Sequence, residues 1–185
     1  MNDLIVFALE DEAPGLFKEY ANVHCIGVGK VNAAINVMRL CHIYHPKRII
    51  NMGTAGGIRL GAGVHRINTV WQHDVNLMAL GMRPGIHFND PVSMIIMPGI
   101  GKTCASGDIF ITEPNKLRVE CDVVDMEAYS VAKVANRLGL DIEIWKYISD
   151  PADINAGHTW KEQVASGQPL YREVFKELNV KLETK

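Results

Sequence analysis

Apolar positions along this chain fall into short solid runs and longer periodic stretches, and the two kinds alternate. "LIVFAL" (4–9) and "NVHCIGV" (22–28) are unbroken enough to be strands covered on both faces. "KVNAAINVMRLCHIYH" (30–45) carries Val31, Ala34, Ile35, Met38, Leu40 and Cys41 on one helical face, and Pro46 ends it. A strand over 47–52, "KRIINM", leads into a glycine-rich connection, "GTAGGIRLGAG". Another strand is expected over 65–74, followed by a mobile loop over 75–92 that contains Gly81, Pro84, Gly85 and Pro91. "SMIIM" and "TCASGDIFI" read as strands flanking the turn "PGIGK", and "TEPNKL" as a loop or short helix. "CDVVDM" is a strand, "EAYSVAKVANRLG" a helix stopped by Gly139, and "DIEIWKYISD" the next strand. "PADINAG" reads as a loop, and the rest is helical with a break at Gly167 and Pro169.

Strand and helix in alternation imply an α/β fold: one domain over 1–185, a mainly parallel mixed sheet flanked by helices in three layers. Ligands of such sheets bind outside the carboxyl ends of the strands. The first strand ends in Glu10, Asp11 and Glu12, the third in "NMGTAGG", and two later ones in Asp125–Glu127 and Ser149–Asp150. Helix capping accounts for any one of these; in "DVVDMEAYS", Asp125 would be the N-cap and Glu127 a first-turn acid. Acids at three strand ends on one rim repel each other, which points to a ligand that uses them.

Bulk composition narrows the classes. Apolar residues make up 48% and charged residues 22%, and the formal net charge is −2 without a long basic stripe, so no nucleic-acid partner is expected. No apolar run reaches membrane-spanning length, and the acidic amino end does not read as a secretion signal. Cys25, Cys41, Cys104 and Cys121 form no C-x-x-C pair, which fits reduced thiols in the cytoplasm. Gly101-Lys102-Thr103 mimics a P-loop, but Ile96 stands where its first glycine belongs. "GVGKVNAA" is a partial dinucleotide fingerprint with Asn32 at the third glycine position; a glycine turn for close helix–strand packing is the better reading. His42 and His45 lack a third ligand, so neither a metal nor a cofactor is expected.

"FALEDE", "GVGKVNAA", "NMGTAGGI", "SGDIFI", "VVDMEA" and "ISDPAD" occur in the order seen in the nucleoside phosphorylase/nucleosidase superfamily. The chain most resembles its 5′-methylthioadenosine/S-adenosylhomocysteine nucleosidase branch, from the first strand to about residue 155 and again in the last helix. That resemblance implies a role for each matching residue. Asp150 would be the acid serving purine N7 and the exocyclic amine, oriented by Ser149. Glu12 would activate the attacking water, with Thr54 close by. Glu127 would hold the ribose hydroxyls above Met126; Phe110 would stack on the base, and the Ile111 backbone would meet its edge. Val28 and Leu9 would line the apolar side, and Glu10 and Asp11 would be solvated.

The chain departs from the family pattern in several places. An extra β-hairpin between "FKEY" and "NVHCIGVGK" and a helix between 74 and 106 have no room here. Asp125 replaces a glutamate, and Lys146-Tyr147 stand where an arginine is usual. Phosphorylase relatives hold phosphate with arginines; here the corresponding turns read "EDEAPG" and Asn51-Met52, which suits water better than phosphate. Hydrolysis is therefore expected; the resemblance implies an adenosine-type nucleoside, 5′-modified, as substrate and a homodimer as the assembly. Phosphorolysis on the same fold and a catalytically silent nucleoside-binding protein stand as the alternatives.

Overall fold

A computed structural model of the chain describes residues 2–88, 90 and 92–185. Its strands are β1 (Asp3–Phe7), β2 (Val23–Cys25), β3 (Arg48–Gly57), β4 (Val64–Gln72), β5 (Ile95–Ile96), β6 (Lys102–Ser106), β7 (Val123–Asp125) and β8 (Asp141–Asp150). The helices are α1 (Pro14–Glu19), α2 (Lys30–Tyr44), α3 (Ala128–Leu138), α4 (Ala156–Gln163) and α5 (Gln168–Glu177).

All these strands join one mixed sheet, with parallel pairings β1·β2, β1·β3, β3·β8, β4·β6 and β6·β7. Antiparallel pairings add β3·β7, β4·β5 and β4·β8. β3 is long enough to serve several neighbours. One edge pairs with β8 from Arg48 to Gly56; the other pairs with β1 up to Asn51, then with β7 at Gly56 and Gly57. β7 continues to β6, β6 to β4, and β4 back to β8, so β3–β7–β6–β4–β8 close a circuit. An open layered sheet is therefore only part of the architecture.

Alternation along β1 shows why both faces are covered. Ile5 and Phe7 pack with Leu16 and Phe17 of α1 and with Tyr171 and Phe175 of α5. Leu4 and Val6 face the other way, onto Ala33 and Val37 of α2 and Val131 and Val134 of α3. A third cluster, with Ile67, Val70, Cys104, Val123, Ile144 and Ile148, takes its residues mainly from the strands of the circuit.

Several boundaries differ from the sequence reading. "GTAGG" is not a connection: β3 runs through it to Gly57. Glycine is needed there because a Cβ on Gly56 would lie 3.0 Å from the Ala152 side chain and 3.1 Å from Asp150 Oδ1. "TCASGDIFI" stays extended only to Ser106, and "SMIIM" shrinks to Ile95–Ile96. α1, opened by Pro14, was hidden by its shortness, and α4 begins inside the expected loop at Ala156. Gly139, at φ 66°, ends α3 in the left-handed conformation that glycine favours. Among the described residues of 75–92, a 3-10 turn forms at Met78–Leu80, and Pro91 lies outside the described residues.

Candidate active site

The carboxyl ends of β1, β3, β7 and β8 open onto one cavity of about 300 Å³. Leu9, Glu12, Val28, Thr54, Phe110, Ile111, Met126, Glu127, Ser149 and Asp150, the residues the resemblance assigns to a site, all line it.

Glu12 closes a one-turn 3-10 helix just after β1, and it is buried while Glu10 and Asp11 stay exposed. Its Oε1 accepts hydrogen bonds from the Thr54 amide (2.6 Å) and hydroxyl (2.9 Å), and its Oε2 from the Leu9 amide (3.0 Å). Gly53, at φ 146°, leaves the room: a Cβ there would stand 2.9 Å from Oε1. Three donors hold both oxygens of this carboxylate in place.

Asp125 and Glu127 differ sharply although one methionine separates them. Asp125 Oδ2 accepts the Ala128 amide (2.8 Å) and the Lys146 ammonium (2.8 Å), while Oδ1 accepts the Ser106 hydroxyl (2.5 Å). Asp125 is not the N-cap expected of it, but its side chain does satisfy the first amide of α3. Burial opposes its charge, but the Lys146 ammonium prevails and holds the carboxyl below its usual range. Glu127 itself occupies the N-cap position of α3, so it is not a first-turn acid, and its side chain makes no cap. Oε1 instead accepts the Gly29 amide (2.9 Å). Burial, reinforced by the neighbouring Asp125 charge, pushes Glu127 up to about 8.

"GVGKVNAA" therefore does more than pack a helix on a strand. Gly27 and Gly29, at φ 80° and 90°, turn the chain so that the Gly29 amide reaches Glu127. The next amide, Lys30, donates to Asp108 Oδ1 (2.7 Å), and the Lys30 ammonium binds Asp74 (2.6 Å) and Gln72 (2.9 Å). Asp74 in turn accepts the Asp108 amide (2.9 Å). This clasp fixes the segment after β6, from which Phe110 and Ile111 reach the cavity.

At the end of β8, Asp150 Oδ2 accepts the Ser149 hydroxyl (2.8 Å) and Oδ1 the Ala152 amide (3.0 Å). Burial outweighs both bonds and raises its carboxyl above the usual range. α4 covers the cavity with Gly157, Trp160 and Lys161. The Trp160 indole N–H donates to Thr54 Oγ1 (3.1 Å).

The 5′-methylthioadenosine/S-adenosylhomocysteine nucleosidase of Buchnera aphidicola is 36% identical to this chain over 169 residues, or 76% of this chain and 67% of that protein. Residues 16–92 match the profile of the Phosphorylase superfamily. The chain belongs to the Phosphorylase superfamily. A nucleosidase of the same name from Bacillus cereus is 31% identical over 152 residues, covering 68% of this chain and 66% of that protein. The chain spans about two thirds of the length of these curated relatives. Among solved structures, a Helicobacter pylori nucleosidase mutant with 5′-methylthioadenosine in its active site superposes with a TM-score of 0.84 at 19% identity. That match covers 95% of this chain and 98% of the other. Helicobacter pylori futalosine hydrolase gives 0.82, also at 19%, over 96% and 98%. At such identities the likeness is one of fold.

Membership in the superfamily came from short motifs, and what those motifs lacked was missed. Trp160 and Lys161 lie outside every motif; their only signal is a lone tryptophan in the polar stretch "GHTWKEQ". Lys30, Asp74 and Asp108 are far apart in the chain and meet only in the fold. The expected missing hairpin agrees with the short link of residues 20–22 between α1 and β2. His42 and His45 are exposed with rings 6.1 Å apart, and among the described residues no group of three metal-binding side chains forms. Among the described residues no helix is long and apolar enough to cross a membrane.

Proposed function

We propose that this chain is a purine nucleosidase: it hydrolyses the N-glycosidic bond of an adenosine-type nucleoside with a modified 5′ position and releases the free base. The observation that carries this reading is the contrast between two carboxyls on one cavity. Glu12 is held by three donors, whereas burial raises Asp150 towards its protonated form. A carboxyl raised by burial suits the general acid, and a carboxylate fixed by donors beside Thr54 suits holding the water.

A water against Glu12 attacks the anomeric carbon and gives its proton to that carboxylate. Positive charge develops on the ribose as the bond breaks, and the Glu12 side of the cavity stabilises it. Asp150, oriented by Ser149, protonates the departing purine, which would otherwise leave as a poor anion. Glu127 holds the ribose hydroxyls over Met126, Phe110 stacks on the base, and the Ile111 backbone meets its edge. Leu9 and Val28 close the apolar side. Lys161 is the only cation among the described lining residues, and no arginine stands ready to clamp phosphate. The names of the curated relatives support methylthioadenosine and S-adenosylhomocysteine as the first substrates to try. A cytoplasmic homodimer is the proposed setting; free cysteines suit a reducing compartment, and the exposed Val31, Ile35 and Met38 of α2 offer an apolar face.

The test is a nucleoside panel with chromatography for free base, run with and without phosphate. Base release without phosphate, and its loss by at least about a thousandfold in Asp150→Asn, is expected. Strict phosphate dependence would mean a phosphorylase, and ligand-induced stabilisation without turnover would mean a binding protein.

A further inference from the structure

Thr54 has one hydroxyl proton, and two neighbours compete to decide where it points. Glu12 Oε1, 2.9 Å away, is an acceptor; the Trp160 indole, 3.1 Å away, offers only a donor. With the indole N–H bound to the Thr54 oxygen, the hydroxyl proton is left to Glu12. The three groups therefore form a directed chain: indole N–H to hydroxyl, hydroxyl to carboxylate. Chained donors of this kind polarise one another in a buried setting. Trp160 lies 106 positions from Thr54 in sequence and belongs to α4, which the turn after Asp150 carries over the cavity.

We infer that Trp160 is a positioning residue for the hydrolytic carboxylate: its indole N–H orients the Thr54 hydroxyl, which fixes Glu12 when α4 is seated. The inference rests on the nucleosidase reading above. It assigns a polar task to a side chain that would otherwise be a hydrophobic wall. Seating α4 does two things at once, since the helix that covers the substrate also completes the bonding of the group that activates water. A loose α4 leaves Glu12 with its two amide donors, Leu9 and Thr54, but with a Thr54 hydroxyl free to turn away.

Trp160→Phe keeps most of the ring and removes the N–H. It should lower kcat about tenfold, the equivalent of one hydrogen bond near 1.4 kcal/mol, with KM within about threefold of wild type. Thr54→Val should lower kcat as well, and adding Trp160→Phe to it should cause little further loss, because the indole then has no hydroxyl to orient. Independently of turnover, the Trp160 indole proton should resonate away from its free-indole position by NMR and move back in Thr54→Val. A Trp160→Phe effect confined to KM, or an equal kcat loss in both backgrounds, would reduce Trp160 to a wall and overturn the inference. An indole proton that Thr54→Val leaves in place would overturn it too. Wild type that releases no base from any nucleoside overturns both readings; turnover untouched by Trp160→Phe overturns this one alone.

Discussion

Glu127 sits where ionisation works against folding. Its folded-state value of about 8 lies above the ordinary 4.5, so the stability it contributes is complete below about pH 4.5 and lost as pH rises through 8. Glu127→Gln can still accept the Gly29 amide and carries no charge. The variant should be close to wild type in stability near pH 5 and exceed it by about 4 kcal/mol at pH 9, while turnover is abolished. A variant less stable at pH 9 than wild type would show that the carboxylate is not strained there. Asp125 behaves in the opposite sense. It is buried and bound to Lys146, and Asp125→Asn leaves that ammonium without its counter-charge, at a cost of about 3 kcal/mol. Asp125→Asn with Lys146→Met should recover at least about 1 kcal/mol of that in denaturant melts, because an apolar pair suits the site better than an unpaired cation. The sequence motif "DMEA" marked both acids as candidates, but not which would be neutralised. That depends on Lys146, a residue twenty-one positions later in the chain, and on which face of the turn each carboxyl takes.

Between the elements, the clasp of Lys30, Asp74 and Asp108 joins the start of α2, the end of β4 and the segment after β6. Asp108 is half-exposed, so its carboxylate adds little to global stability. Asp108→Ala should change the unfolding free energy by less than about 1 kcal/mol. Amide exchange in 107–111 should speed up about tenfold, and KM should rise while kcat stays near wild type. Unchanged exchange in that segment would show that the clasp does not hold the base wall. Element types were largely legible from periodicity: α2 and α3 have helical spacing, although Val31, Ile35 and Met38 of α2 face solvent while Ala33, Val37, Leu40 and Cys41 are buried. β1 is mostly apolar, and β3 and β8 mix apolar with polar residues. Glycine misled the reading of 53–57. A glycine-rich run usually marks a connection, but Gly56 is there to let Ala152 and Asp150 come close, which strand backbone permits. The α4 boundary was missed because "PADINAG" carries turn residues up to the point where the helix starts.

Taken as a whole, the molecule is organised around β3, which pairs with β1, β7 and β8. Amides of residues 49–55 and 144–148 should be the slowest to exchange and should open only with global unfolding, whereas residues 77–88 should exchange by local opening. Equal rates in the two groups would contradict a circuit that opens as a unit. The α/β class follows from alternation of elements, but closure of the circuit does not: it depends on which strand takes over the β3 edge beyond Asn51, and no local pattern encodes that choice. The closed circuit also divides the cavity into two inheritances. Thr54, Gly56, Asp125, Ser149 and Asp150 belong to strands locked on both edges or at their ends, so a substitution that shifts one backbone disturbs several acids together. The segments 107–111 and 154–163 carry no such ladder and, Asp108 and Trp160 apart, can be recut one residue at a time. Descendants of this scaffold are thus free to change which nucleoside they prefer, through those walls, long before they can change what they do to it.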